Sequence, residues 1–487
     1  MNQLRLRRRL GAVGPQAFQR MQNDRLIQAL EPLSLSFNFR TQLVNDTVAR
    51  APSSSLRQTT DSVTDQEELI AHKAGTNVLA IDCNDARFLI SGGADSTIRL
   101  WDLESRPTGA TQHVFRPTAS LTRSTPASHT HALTSISIYP FDPTPSTLLS
   151  TAYDKTLKLT SITPSELVPA HTFSLDHAPF THALSPIPTS SPLIAVGTAL
   201  PAIKLVDLRS GLALHSLPGH NGAVYSVAWS PRQEHVLASG ATDGRVLFFD
   251  VRRSQSAFAS LDLDDAIGVL APDHTPSYSG RQAMDWNVRA HTGPVTGLRW
   301  TSTGDKLVTA GHDQRIRIWD AATGRNDLVH FGPRIRNERN GEFAPLISPA
   351  GFGKSGKEVL FWANDDSKGE IFTFNMREGN MLGTLRTPGI ARGPVQARAG
   401  GIGKLNSVGR INAMAWRINA TAGGGVEMYS AHGNGAIHCW VGAPPDEEEA
   451  EDSVDVDAVE QDRKRKRKRD LIGDIVEGLT KKPLTLI

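Results

Sequence analysis

Between Ala290 and Gly324 apolar and polar residues alternate in three short runs, Val295–Trp300, Leu307–Thr309 and Ile316–Trp319. Gly293-Pro294 and Ser302-Thr303-Gly304 separate them as turns. A period of two is that of a half-buried strand. Three such strands cannot bury their apolar faces alone, so each set must pack against others of its kind.

The pattern recurs. NVLAIDCNDARFLISGGADSTIRLWDL ends at Trp101-Asp102, and GHNGAVYSVAWSPRQEHVLASGATDGRVLFFDV ends at Phe249-Asp250. Weaker copies end at Thr160, Val206, Phe374 and Trp440. A unit of about 40–45 residues with a His near its start and Trp-Asp at its end is one propeller blade. The seven positions 101, 160, 206, 249, 319, 374 and 440 give a count of seven copies, with six or eight as alternatives because the third and sixth are degenerate. The expected fold is all-β, a seven-bladed propeller, with a short N-terminal helical segment and a disordered charged C-terminal tail.

Within the repeats, His72, Ser91, Asp95 and Trp101 keep nearly the same spacing as His291, Thr309, Asp313 and Trp319. His220, Ser239 and Asp243 repeat it with Phe249 in place of Trp. A His/Ser/Asp trio resembles a catalytic set. The same trio in separate blades cannot share one site, so the reading is a buried hydrogen-bond network that fixes each blade.

Four spans follow. Residues 1–32 form a head, 33–66 a polar linker, 67–443 the propeller and 444–487 a charged tail. Glu68–Ala71 is expected to add the outer strand of the last blade. Inserts at Ser105–Ser128, Ser254–Asn287 and Arg386–Gly409, rich in Ser, Pro or Gly, are expected as loops. In the head, Pro15 suits a first helical turn and Pro32 stops a helix. Its apolar Phe18, Met21, Leu26, Ile27 and Leu30 do not make one clean stripe. They read either as helices packed on the ring or as an exposed partner-binding element.

Charge and composition narrow the function. Lys+Arg 52 against Asp+Glu 50 gives a net charge of +2, so the ring carries no nucleic-acid footprint. No apolar run reaches the roughly 20 residues of a membrane span. Cys83 and Cys439 are the only cysteines, which fits core thiols and excludes a Cys-rich zinc site. No His pair has metal-ligand spacing, and no cofactor is expected. GFGKSG at 351–356 imitates a phosphate loop, but Ser348 stands where its first Gly belongs and no helix follows. In the tail, ten acids in Asp446–Asp462 precede Arg463, Lys464, Arg465, Lys466, Arg467, Lys468 and Arg469, a nuclear-import candidate. Arg5, Arg7, Arg8 and Arg9 form a rival, presequence-like cluster.

From about Glu67 to Gly442 the repeats resemble the WD-repeat family. The ordered set LISGGADSTIRLWDLE, YDKTLKL, AVGTALPAIKLVDLRSG, GHNGAVYSVAWSPRQEHVLASGATDGRVLFFDVRRS and HTGPVTGLRWTSTGDKLVTAGHDQRIRIWDAATGRNDLVHFG resembles the Cockayne syndrome group A proteins within it. That resemblance implies a nuclear, non-enzymatic substrate receptor of a cullin-4 ubiquitin ligase. It would attach through the damaged-DNA-binding protein adaptor and act on stalled RNA polymerase II and repair factors in transcription-coupled nucleotide excision repair. The family's Trp-Asp-x-Arg boxes correspond to Val206-Asp207-Leu208-Arg209 and Phe249-Asp250-Val251-Arg252. Both have lost the Trp. The adaptor contact is accordingly expected at Phe18, Met21, Ile27 and Leu30 of the head, with Arg209 and Arg252 beside them. A histone- or peptide-binding propeller and an RNA- or ribosome-assembly scaffold remain as alternatives.

Overall fold

The computed structural model describes residues 27, 30–32, 37–40, 70–82, 84–107, 112–142, 146–187, 192–252, 257–263, 288–349, 358–366, 368–388, 409–420 and 425–442. They form a ring of seven antiparallel sheets. Blades 1 to 4 begin with the inner strands Thr76–Ile81, Leu133–Ile138, Pro179–Leu184 and Val224–Trp229, and blades 5 to 7 with Val295–Trp300, Leu346–Ile347 and Ile411–Ala420. Every blade has four strands except blade 5, which has three, its outer edge reduced to the Trp319–Asn326 bridge.

The blades share one register. Trp101, Thr160, Val206, Phe249, Trp319, Phe374 and Trp440 all lie on third strands, opposite Leu89, Leu148, Ile194, Leu237, Leu307, Leu360 and Met428 of the second strands. All seven are buried, and each apolar side chain of this size contributes about 1.5–3 kcal/mol of burial. Second strands such as Leu193–Thr198 and Val236–Ala241 are buried on both faces beyond their first residue, since each blade is covered by its neighbours. Indole N–H groups join neighbouring inner strands: Trp229 donates to the Ala183 carbonyl, Trp300 to Ala228 and Trp416 to Ile347, at 3.0, 3.3 and 2.9 Å.

The closing strand is not the one expected. Leu30–Pro32, not Glu68–Ala71, pairs with Trp440–Gly442 as the outer strand of blade 7. The end of the expected helical head is therefore β-structure. Ile27 and Leu30 are buried in a core with Phe374, Met428 and Trp440, packed between blades 6 and 7. The span read as polar linker also departs from expectation. Phe37–Phe39 pairs in parallel with His113–Phe115, and Phe39 stacks on Phe115 and meets Trp101 edge-on. The insert Ser105–Ser128, expected as loop, holds His113–Phe115 and the outer strand of blade 1, Pro117–Leu121. Leu30–Pro32 and Pro117–Leu121 complete blades 7 and 1, while Phe37–Phe39 and His113–Phe115 make a two-stranded sheet of their own.

The N-terminal segment thus fastens both sides of the ring's closure. Between those sides lies a buried charge cluster. Glu427 of blade 7 accepts from Arg106 at 2.6 Å, from Arg417 at 3.1 Å and from the Tyr429 hydroxyl at 2.8 Å. Arg417 also donates to the Ala86 carbonyl of blade 1, and Arg106 lies over the Phe37 ring. Cys439 is buried beside the cluster, and burial pushes its thiol up, away from reactive thiolate. Cys83 lies outside the described residues. No described helix is long and apolar enough to cross a membrane.

Candidate functional site

Two ring faces must be distinguished. Second strands end, and third strands begin, at turns holding Asp95, Asp154, Asp243 and Asp313; the histidines precede the inner strands at the same edge. This is the network face. Third strands end on the opposite face, where the Asp207–Arg209 and Asp250–Arg252 boxes lie.

On the network face the His/Ser/Asp residues form separate structural units. His72 lies 3.2 Å from Asp95 through Nδ1 and 2.7 Å from the Ser91 hydroxyl through Nε2, and Trp101 donates to the same hydroxyl at 2.9 Å. In blade 5 the matching distances are 2.9 Å to Asp313, 2.7 Å to Thr309 and 3.0 Å from Trp319 to Thr309. His220 meets Asp243 and Ser239 at 3.2 and 2.7 Å, with Phe249 supplying bulk alone. In blades 1 and 5 a glycine backs the histidine closely, since a Cβ at Gly93 or Gly311 would stand 2.4 Å from the imidazole, whereas blades 2 and 4 place Ala152 and Ala241 at that position. Burial alone would raise the carboxyl of Asp313, but bonds from His291 and Arg317 overcome it and draw it down to about 2. His291 in turn is held neutral, because burial lowers its pKa.

A fourth network escaped the sequence reading. His129 sits 2.9 Å from both Asp154 and Ser150 in blade 2. The signal was present: a Ser or Thr four residues before an Asp, with a His 18 to 21 residues before that hydroxyl, in all four blades. Thr160 in the Trp position hid it. Blade 7 uses a variant, in which Ser430 joins Trp440 and His432 at 2.8 and 2.9 Å.

The opposite face carries the candidate adaptor residues. The Asp207 carboxylate caps the turn by accepting from the Arg209 backbone at 2.9 Å, leaving the Arg209 side chain exposed. In blade 4 the buried Asp250 accepts from the Arg252 backbone at 3.0 Å and from its guanidinium at 3.1 and 3.2 Å. Arg252 nevertheless keeps 57% of its side chain exposed. The two arginines therefore stand on adjacent blades of one face. Beside Arg252 opens a cleft of about 750 Å³ floored by Phe248, Phe258 and Trp300, with Arg232 and Asp305 at its edge.

Ile27 and Leu30 do not join this set. Both are core residues, with Leu30 on the strand that completes blade 7, so neither is free to enter a partner's cleft. Phe18 and Met21 lie outside the described residues, as do residues 351–356 and the basic run Arg463–Arg469. Among the described residues no cluster of three His, Cys, Asp or Glu could hold a metal.

Residues 64–102, 120–161, 211–250 and 285–320 match the WD domain, G-beta repeat family. These stretches include the third strands of blades 1, 2, 4 and 5, the four that retain the His–Ser/Thr–Asp set. The WD repeat-containing protein ATCSA-1 of Arabidopsis thaliana is 28% identical over 314 residues, covering 53% of this chain and 69% of that protein. Ribosome biogenesis proteins named Ytm1 are also similar: that of Podospora anserina is 26% identical over 270 residues and that of Aspergillus niger 28% over 288. The chain spans about half the length of these two, 54% of each. With seven sheets around one ring and the repeat signature in four of them, the chain is a WD-repeat protein built as a seven-bladed propeller.

Proposed function

We propose that this propeller is a non-enzymatic substrate receptor of a cullin-4 type ubiquitin ligase, working in the nucleus in transcription-coupled excision repair. The observation that carries the reading is the pair Arg209 and Arg252, exposed on adjacent blades of one face with each backbone held by its own Asp. Two exposed arginines on adjacent blades suit an acidic rim on the damaged-DNA-binding adaptor, and such rim charges tune association and register. The similarity to ATCSA-1 agrees with this reading. Phe18 and Met21 remain the apolar anchors proposed for the same contact, and anchors of that kind dominate binding.

The test is copurification of the cullin-4 adaptor from cells expressing tagged variants. Removing the whole head would also remove the closing strand of blade 7, so point changes are needed. Arg209→Glu with Arg252→Glu should weaken recovery, and Phe18→Asp with Met21→Asp should abolish it, with melting curves unchanged. Full recovery of the adaptor by both folded double variants would sink the receptor reading.

A ribosome-assembly role is the second reading, favoured by the Ytm1-like relatives and by the basic run Arg463–Arg469. It expects pre-ribosomal particles, not ligase subunits, in the same purification.

A further inference from the structure

The cleft beside Arg252 owes its existence to the two blades that flank it. Blade 5 lacks a regular fourth strand, and blade 4 ends in the two-residue strand Ala259–Ser260, so the outer rim between them stays open. On the blade 5 side its wall is Gly304, Ala321 and Ala322, which have little bulk to fill it. On the inner side the gap is closed. Gly304, at φ +72°, lets the Pro231-Arg232 turn of blade 4 come against it, where a Cβ would stand 3.1 and 3.0 Å from their side chains. The space left is about 750 Å³, the size of a ligand site.

Its floor is aromatic. Phe248 lies 6.4 Å from Phe258 and 6.2 Å from Trp300, ring to ring, so two blades contribute to one apolar surface. The Trp300 N–H is spent on the Ala228 carbonyl, which leaves its π surface as what the ring can offer.

The rim is acidic. Glu234, Asp250, Asp305 and Asp320 line the cleft against Arg232 and Arg252. Each arginine is matched by one acid, Arg252 by Asp250 at 3.1 Å and Arg232 by Asp305 at 2.8 Å. Lys306 reaches Asp320 at 3.6 Å but is shared with Asp327 at 2.9 Å. Among the described residues the balance is therefore negative. Glu358, beside the first residue of Val359–Ala363, responds to it: burial and the charge of Asp305 both raise its carboxyl above the usual range. Arg232 and Asp305 are 68% and 55% exposed, and a pair so solvated is weak enough for another cation to enter.

An apolar π floor under an acidic rim favours a cation carried on an apolar stem. Arginine suits it better than lysine, because a planar guanidinium both stacks on a ring and binds a carboxylate with two N–H groups. Phosphate and carboxylate ligands meet like charge there. We propose that this cleft takes an arginine side chain of a partner protein, its stem on Phe258 and Trp300 and its guanidinium held by Asp305 and Asp320. The site shares a face with Arg209 and Arg252, but its chemistry does not depend on the ligase reading.

The test uses the full chain and a fluorescein-labelled peptide in which arginines alternate with leucines, followed by polarisation at low salt, with no ligase component present. The same peptide with lysine or with glutamate in place of arginine serves as comparison. Binding should fall several-fold with lysine and vanish with glutamate. Asp305→Asn should weaken the arginine peptide roughly tenfold to a hundredfold, the loss expected for a charge-assisted bond. Asp176→Asn makes the same charge change at an exposed acid of the network face and should leave binding as it is. Ala322→Trp fills the cleft without touching a charge and should abolish binding with the melting curve unmoved. If Asp305→Asn misfolds, Ala322→Trp decides the matter. Equal binding of the glutamate peptide, equal losses from Asp305→Asn and Asp176→Asn, or full binding by folded Ala322→Trp overturns the proposal. Several-fold tighter binding once Arg463–Arg469 is replaced by serines would overturn it too, by giving the cleft to this chain's own basic run.

Discussion

Glu427→Ala tests the ring closure directly. Glu427 is 1% exposed and accepts three hydrogen bonds, two from arginines that are themselves 8% and 2% exposed. Its removal leaves Arg106 and Arg417 buried without their counter-charge, and Tyr429 loses its acceptor. Breaking a buried pair from one side costs about 3–5 kcal/mol, because desolvation is no longer offset. Glu427→Gln keeps an acceptor for one or two of the donors and should cost less, about 1–3 kcal/mol. Replacing the whole set, Arg106→Met, Arg417→Met and Glu427→Leu, should recover much of the loss, since an apolar substitute of similar volume is often neutral. Urea unfolding followed by tryptophan fluorescence gives the order wild type, Gln, Ala, with the triple variant above Ala. The seam between blades 7 and 1 should also become the first site of proteolytic cleavage. An Ala variant that unfolds at the wild-type midpoint would refute the claim that this cluster holds the ring shut.

Asp313→Ala removes a partner from His291, Arg317 and the Arg315 backbone and should destabilise blade 5 by about 1–3 kcal/mol, seen as a lowered melting temperature with the ring still assembled. Acid should weaken the fold through its buried histidines. Burial lowers His182 and His438 to about 4, so the folded chain binds fewer protons than the unfolded one below pH 6.5. Stability is therefore intact above that pH and falls between 6.5 and 4, by at most roughly 3 kcal/mol per histidine. Glu342 acts in the opposite sense between pH 7 and 4.5, because its raised pKa makes the fold take up a proton there. A denaturation series across this range should steepen in Glu342→Gln and flatten in His182→Gln; identical slopes would contradict the burial assigned to both. Replacing Arg463–Arg469 with serines should move a fluorescent fusion from nucleus to cytoplasm, and unchanged nuclear signal would place the import signal elsewhere.

What the sequence determined is whatever repeats. Period-two runs, the Ser/Thr-x-x-x-Asp spacing and the Trp-like position on each third strand recur because each blade solves the same packing problem with local residues. Seven blades, their register and three of the four His networks could be read for that reason. His129 was missed because Thr160 replaces the bulky residue that marks a blade's end. Tertiary structure decided what occurs once. Leu30–Pro32 and Phe37–Phe39 are three-residue strands, too short to carry a period, and they become strands because blade 7 offers an unpaired edge to the first and the inserted strand His113–Phe115 pairs with the second. Ile27 and Leu30 looked like anchors for a partner for the same reason that they are core: both uses require apolar surface, and only three-dimensional proximity says which surface covers it. Glu427 draws on Arg106, 321 positions away, and on Arg417, ten away. No spacing rule connects them, and the ring brings them together by closing.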